Sequence, residues 1–248
     1  MPIEAIVPRR LYRQVADQLR QLFDSGEYAV GDRLPTEREL AEKMGISRPT
    51  IREALIALEV EGRVRIRVGS GIYVTEPPGN APQPVSGEGP FELLRAREFI
   101  EAAIAEEAAR HVTPQHLAEM DEVLDRMAGE DHPSRATIEL DRRFHTCVAA
   151  MLDNAVLVRV VGELFDQRMN PYFERLSSYF EDHETWRAAL EEHRAVRDAI
   201  AAGDPVAARA AMKEHLHRSQ SRFSEGGFET GAAVGGWRRK EATSRRTR

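Results

Sequence analysis

The sequence predicts a mainly α protein in two parts. A small N-terminal unit of three helices and a β-hairpin precedes an all-helical antiparallel bundle. Three observations carry this. Apolar residues recur at helical spacing through most of the 248 residues. The period shifts to two in the stretch RVRIRVGSGIYV at 63–74. A Pro- and Gly-dense stretch, EPPGNAPQPVSGEGP at 76–90, separates the two patterns and reads as a linker.

The bulk numbers bound the answer. The length allows one large domain or two ordinary ones, and 42% hydrophobic residues is ordinary for a globular chain. No apolar run approaches the roughly 18 residues of a membrane span. The N-terminus lacks the apolar core of a secretory signal, and the single cysteine, Cys147, rules out an internal disulfide framework. The expectation is a cytoplasmic protein with no membrane partner. A net charge of −6 weighs against nucleic-acid binding only on average. Residues 77–225 are strongly acidic, residues 1–76 are neutral, and residues 226–248 are basic. A DNA-binding surface therefore belongs to the front section, provided its arginines gather on one face.

Each element has its own signal. Leu11, Val15, Leu19 and Leu22 mark a first amphipathic helix that stops near Gly26. Thr36 followed by Glu39 is a capping-box pattern for a second, closed by Gly45. Ser47 opens a third, with Pro49 in the first turn, where backbone N–H groups lack intrahelical partners anyway. Val64, Ile66 and Val68 then alternate with Arg63, Arg65 and Arg67, and the GSG turn returns the chain as IYV. After the linker, helices are expected from Phe91 to about Ser224. One starts at Thr113-Pro114, one spans Ser134 to Met151, and a long one from Asn154 to about Tyr179 has a break at Asn170-Pro171. Asp204 and Pro205 start the last. The domains read as 1–76, a linker at 77–90, a helical domain at 91–225, and a Gly-rich, basic tail at 226–248.

Three short helices and a hairpin, with a tight turn at Gly45-Ile46, make a winged helix-turn-helix. In such motifs the start of the third helix enters the major groove. Here it carries Ser47, Arg48, Thr50 and Arg52, all expected to face outward. Arginine can donate two hydrogen bonds to a guanine edge, and Ser or Thr can reach phosphates. A merely solvated charged face would not gather its basic residues at one helix start and one hairpin. The partner is double-stranded operator DNA.

The stretch LPTERELAEKMGISRPTIREAL closely resembles the DNA-binding domain of the GntR family of bacterial transcription regulators, and the likeness covers about residues 9–76. It implies DNA contacts at Arg38, Ser47, Arg48, Thr50 and Arg52, and at Gly69 of the wing tip. Pro49 departs from relatives that carry a hydroxyl residue there. A pyridoxal-phosphate enzyme domain would need a longer chain, and a chorismate-lyase-like domain would need strands. The all-helical remainder resembles the FadR-type branch with an FCD effector domain.

In DRRFH, Asp141 and His145 lie four apart, so one helix face presents both. Alone, such a pair can share an ion or simply hydrogen-bond at a surface. The FCD resemblance implies a divalent metal site of an Asp and a His four apart, plus one His from each of two later helices. Asp141, His145, His193 and His215 fit that set, and three imidazoles with a carboxylate suit Zn²⁺, Ni²⁺ or Mn²⁺. The same resemblance assigns Arg97 and Glu101 to effector binding, with Arg97 clamping a carboxylate. The plain alternative for that pair is a surface ion pair. The stretches LEVEGRVRIRVGSGIYV and NPYFERL, with the extension after Phe223, resemble hexuronate-responsive repressors. They imply a small carboxylate or sugar-acid effector such as glucuronate or galacturonate. One recognition helix reads only a few base pairs, so a homodimer on a two-fold symmetric operator is expected. A competing function is a metalloenzyme with an attached DNA-binding module. Against it, four protein ligands leave a site less open than catalytic zinc, and no base or nucleophile motif accompanies them. A purely structural metal is a third reading.

Overall fold

A computed structural model of the chain describes residues 10–77, 88–225 and 228. Ten helices and one two-stranded hairpin make up the described residues. The first unit holds α1 (Leu11–Asp24), α2 (Glu37–Met44), α3 (Arg48–Val60), β1 (Val64–Arg67) and β2 (Gly71–Val74). The local signals operate as expected. The Thr36 side chain accepts from Glu39 N at 3.1 Å while Glu39 Oε2 accepts from Thr36 N at 2.8 Å, closing the capping box. Gly45 ends α2 at φ 66°, a left-handed conformation that costs glycine no Cβ clash, and this sets the tight turn into α3. Ser47 caps α3 through Thr50 N. In the antiparallel hairpin Val64 faces Val74 and Ile66 faces Ile72. The apolar side is buried, while Arg65 and Arg67 are exposed. Val68 departs from the expectation: it lies beyond β1 in the turn and is exposed. Leu11 is likewise exposed, and Tyr12 takes its place in the core.

The second unit holds α4 (Pro90–His111), α5 (Pro114–Ala128), α6 (Arg135–Ala150), α7 (Ala155–Asp166), α8 (Pro171–Phe180), α9 (His183–Ala201) and α10 (Pro205–Glu225). The break at Asn170-Pro171 separates two helices. Pro171 lacks an N–H and forces Asn170 into extended backbone, and the Asn170 side chain then caps Phe173 N at 2.8 Å. Residues 78–87 of the expected linker, and the tail except Phe228, lie outside the described residues.

Apolar packing does not divide at the linker. One core joins Ile51, Leu55, Ile66 and Ile72 of the winged helix to Leu94, Tyr172, Phe173, Phe223 and Phe228. A second core inside the bundle joins Met120, Val123, Phe144, Phe165, Val196 and Leu216. Each fully buried side chain of this size stabilises by about 1.5–3 kcal/mol, so the first core fixes α8 and the end of α10 against the winged helix.

Candidate functional site

The edge expected to read DNA lies where α2, α3 and the hairpin turn outward. Arg38, Ser47 and Arg48 are exposed and Thr50 is half-exposed. Arg48 stays loosely associated with Glu37, at 3.7 Å. Gly69 lies at the exposed wing tip, and its N–H donates to the Phe228 carbonyl at 2.7 Å.

Arg52 contradicts its expected outward position: it is 0% exposed. Its Nε and Nη2 donate to both carboxylate oxygens of Glu37, at 2.8 and 2.9 Å, and Nη1 donates to the Phe223 carbonyl. The guanidinium lies against the rings of Phe180 and Phe228, at 4.8 and 5.5 Å. One turn beyond Arg48, the same helix face has left solvent and entered the seam with the bundle. Apart from Glu37, the covering groups are Phe180, Phe223 and Phe228, so nothing near Arg52 in the sequence announces them.

The second site lies inside the bundle. Asp141 and His145 share one face of α6, and α9 and α10 bring His193 and His215 to it. Their ligand atoms all lie within 4.8 Å of one another, and all four residues are buried. Asp141 Oδ1 is 3.0 Å from His193 Nε2 and 3.3 Å from His145 Nε2.

What holds the imidazoles reveals their chemistry. His145 Nδ1 meets Glu101 Oε2, His193 Nδ1 meets the Ala189 carbonyl at 2.7 Å, and His215 Nδ1 meets Glu192 Oε2 at 2.9 Å. The Ala189 carbonyl and the Glu192 carboxylate can only accept, which favours the hydrogen on Nδ1 of His193 and His215 and frees their Nε2 atoms as ligands; Glu101 is the ion-pair partner of His145. His193 Nε2 and His145 Nε2 face each other at 3.3 Å, both beside Asp141 Oδ1. Imidazole nitrogens and a carboxylate oxygen gathered in one buried space are ligands that a cation can use. The residues present therefore fit a divalent metal with N/O ligands.

The electrostatics agree. Burial pushes Asp141 up, but hydrogen bonds from His145 and His193 and the charge of Arg168 outweigh it and hold the carboxyl well below its usual range. Burial lowers His215 well below the ordinary imidazole value, helped by His193 and His145, so it stands as a neutral ligand. His193 is lowered by burial too. Burial would also lower His145, but Glu101 and Asp141 reverse the sign.

Arg97 and Glu101 do form an ion pair, Nε to Oε1 at 2.6 Å, but a buried one rather than a surface one. Glu101 sits behind His145 and orients it; burial would raise its carboxyl, yet Arg97 and His145 hold it at about 2. Arg97 lines a small cavity of about 40 Å³ beside Asp141, His193 and His215. Arg168 and Arg222 line it too. Arg97 Nη2 and Arg168 Nε are buried without a hydrogen-bond partner. Unpaired guanidinium donors beside a cavity point to an anionic occupant. Sequence reasoning missed Arg168, Arg222 and Glu192. Their only signal is spatial, since no spacing pattern marks them. Of the remaining histidines, His217 is exposed, pointing away from His215 as its two-residue offset requires.

No helix among the described residues is long and apolar enough to cross a membrane. Residues 11–74 match the bacterial regulatory proteins of the gntR family, and residues 92–218 match the FCD domain. The chain is 38% identical over 225 residues to the Exu regulon transcriptional regulator of Escherichia coli K12, covering 88% of this chain and 86% of that one. It is 34% identical to the Uxu operon regulator of Haemophilus influenzae, covering 88% and 84%. A solved structure of E. coli McbR/YncC aligns over 88% of this chain and 99% of that one, at 24% identity and a TM-score of 0.49. With both family matches and a curated relative at 38% identity, the chain belongs to the GntR family of DNA-binding transcription regulators, in the branch that carries an FCD domain.

Proposed function

We propose that this regulator senses a small carboxylate, in the first instance a hexuronate, at a metal centre in its helical domain, and that binding there changes its affinity for operator DNA. The observation that supports this best is the buried set of Asp141, His145, His193 and His215, with Nδ1 of His193 and of His215 held by acceptors and His145 paired with Glu101, beside a cavity lined by three arginines. Those four residues would hold the ion, which would offer a sugar acid an electrophilic anchor. Arg97 supplies a fixed cationic partner for the acid group, while Glu101 and Glu192 keep the imidazoles aimed. The names of the curated relatives, regulators of the Exu regulon and the Uxu operon, favour the hexuronate over other acids. The ion is Zn²⁺, Ni²⁺ or Mn²⁺.

On the DNA side, Arg38, Ser47, Arg48, Thr50 and Gly69 form the reading surface in this conformation, and Arg52 joins it only if its cage opens. One recognition helix reads a few base pairs, so the protein works as a homodimer on a two-fold symmetric operator. We read it as a cytoplasmic repressor divided near residues 77–90. No enzymatic role accompanies this reading, since the matching families and relatives are regulators. Metal analysis of the purified protein, with operator titrations against a panel of sugar acids, tests it. A metal-free preparation with an undiminished sugar-acid response would contradict it.

A further inference from the structure

We propose that Arg168 is the residue through which a carboxylate effector moves the recognition helix. It rests on the effector reading above and deepens it. Arg168 lies in the turn just before α8, and Glu181 lies just after α8. Both line the cavity, and they face each other at 3.6 Å. Arg168 Nη1 donates to Asp141 Oδ2 at 2.7 Å, its guanidinium lies over Phe173 at 4.9 Å, and its Nε is buried without a partner. Both ends of α8 therefore close the effector cavity.

The other side of the same helix holds α3. Tyr172 Oη donates to the Glu53 carbonyl at 2.7 Å. Arg175 Nε donates to Glu59 Oε2 at 2.8 Å, and Tyr179 Oη donates to the same oxygen at 2.7 Å. Phe180 forms one wall of the Arg52 cage. Short α8 is a strap between the cavity and the DNA-reading helix.

The size of the cavity makes the strap move. About 40 Å³ holds a water molecule, whereas sites for drug-sized ligands run to roughly 300–1,000 Å³. A sugar acid enters only if the wall yields. Three stretches of the wall lie outside a helix: Pro133, the turn that carries Arg168, and Glu181; of these, the two that flank α8 carry charge. An arriving carboxylate competes with Asp141 for the guanidinium charge, and the unpartnered Nε with its neighbour Nη2 offers it a two-donor edge. Arg168 changes partner, its turn shifts, and α8 follows while still bonded to Glu53 and Glu59. The effector then favours one placement of α3 over another, which is what a ligand needs in order to change operator affinity.

The test uses metal-loaded, full-length protein and two probes, galacturonate and glucuronate. Calorimetry reads uronate binding, and operator titration reads the shift that uronate causes. Arg168→Gln should keep its metal and bind uronate at least tenfold more weakly. Arg168→Lys, which keeps the charge but not the two-pronged geometry, should fall between it and wild type, and it decides the matter if the Gln variant misfolds. Tyr172→Phe should still bind uronate, but its uronate-induced operator shift should shrink at least fivefold. Wild-type uronate affinity together with a full operator shift in Arg168→Gln would overturn the proposal and leave Arg168 as a counter-ion for Asp141. A full shift in Tyr172→Phe would overturn the route through α8. A wild-type protein that ignores both uronates overturns the effector reading itself, and this proposal with it.

Discussion

Two helices of this protein each present a charged pair one turn apart, Arg48 and Arg52 on α3, and Asp141 and His145 on α6. The spacing is the same and the outcomes differ. On α3 the pair is split: Arg48 stands in solvent at the DNA-reading edge, and Arg52 is sealed between Glu37, the Phe223 carbonyl and two rings. On α6 both members are buried together and meet two more ligands from α9 and α10. Spacing places groups on one face. What packs against that face decides whether they read DNA, hold structure or hold an ion.

The sharpest way to break the comparison is to remove a ligand from the α6 cluster. His193→Ala should lower metal affinity by roughly 100-fold or more and erase the sugar-acid response, while operator binding without effector survives. Metal content by elemental analysis checks this. Full occupancy would mean that the ion is held without His193.

Arg52→Ala tests the other half. It leaves Glu37 buried without its bidentate partner, so it should destabilise the fold by about 3–5 kcal/mol in denaturant titration. A variant as stable as wild type would show that the Arg52 cage opens freely in solution.

Glu53, next along α3, sharpens the contrast, because its buried carboxyl is met by the Phe91 N–H rather than by a bidentate arginine. Burial pushes it up to about 7, above its ordinary value of 4.5. The folded state thus binds this proton more tightly than the unfolded one. The stability it contributes is complete below about pH 4.5 and is lost as pH rises through about 7. Glutamine keeps the acceptor without the charge. Glu53→Gln should raise stability at pH 8 by on the order of 2 kcal/mol and flatten this part of the pH profile. An unchanged profile would place the carboxyl in water.

The smallest effect belongs to Arg48. Arg48→Ala should weaken operator binding by about 1–3 kcal/mol at fixed salt and shift stability by less than about 0.5 kcal/mol. Equal operator affinity would remove it as a reader.

These contrasts also explain what could be read in advance. The winged helix was legible because its signals are local: Thr36 and Glu39 cap α2, Gly45 turns the chain, and Val64 and Ile66 alternate with arginines. The Asp141–His145 pair was legible as a spacing, but not as an ion site. His193 and His215 joined it only through family resemblance, because intervals across helices carry no geometry of their own. The burial of Arg52 was illegible, since its cover comes from Phe180, Phe223 and Phe228. Arg168 was illegible for the same reason: its meaning lies in Asp141 and Glu181, which only the fold brings to it.

The central claim is that the cluster on α6, α9 and α10 is where the effector acts on DNA binding. Operator titration of metal-loaded and chelator-stripped protein, each with and without galacturonate or glucuronate, tests it most directly. A uronate should shift the operator midpoint at least tenfold in the loaded protein and leave the stripped protein unmoved. An equal shift in both would contradict it.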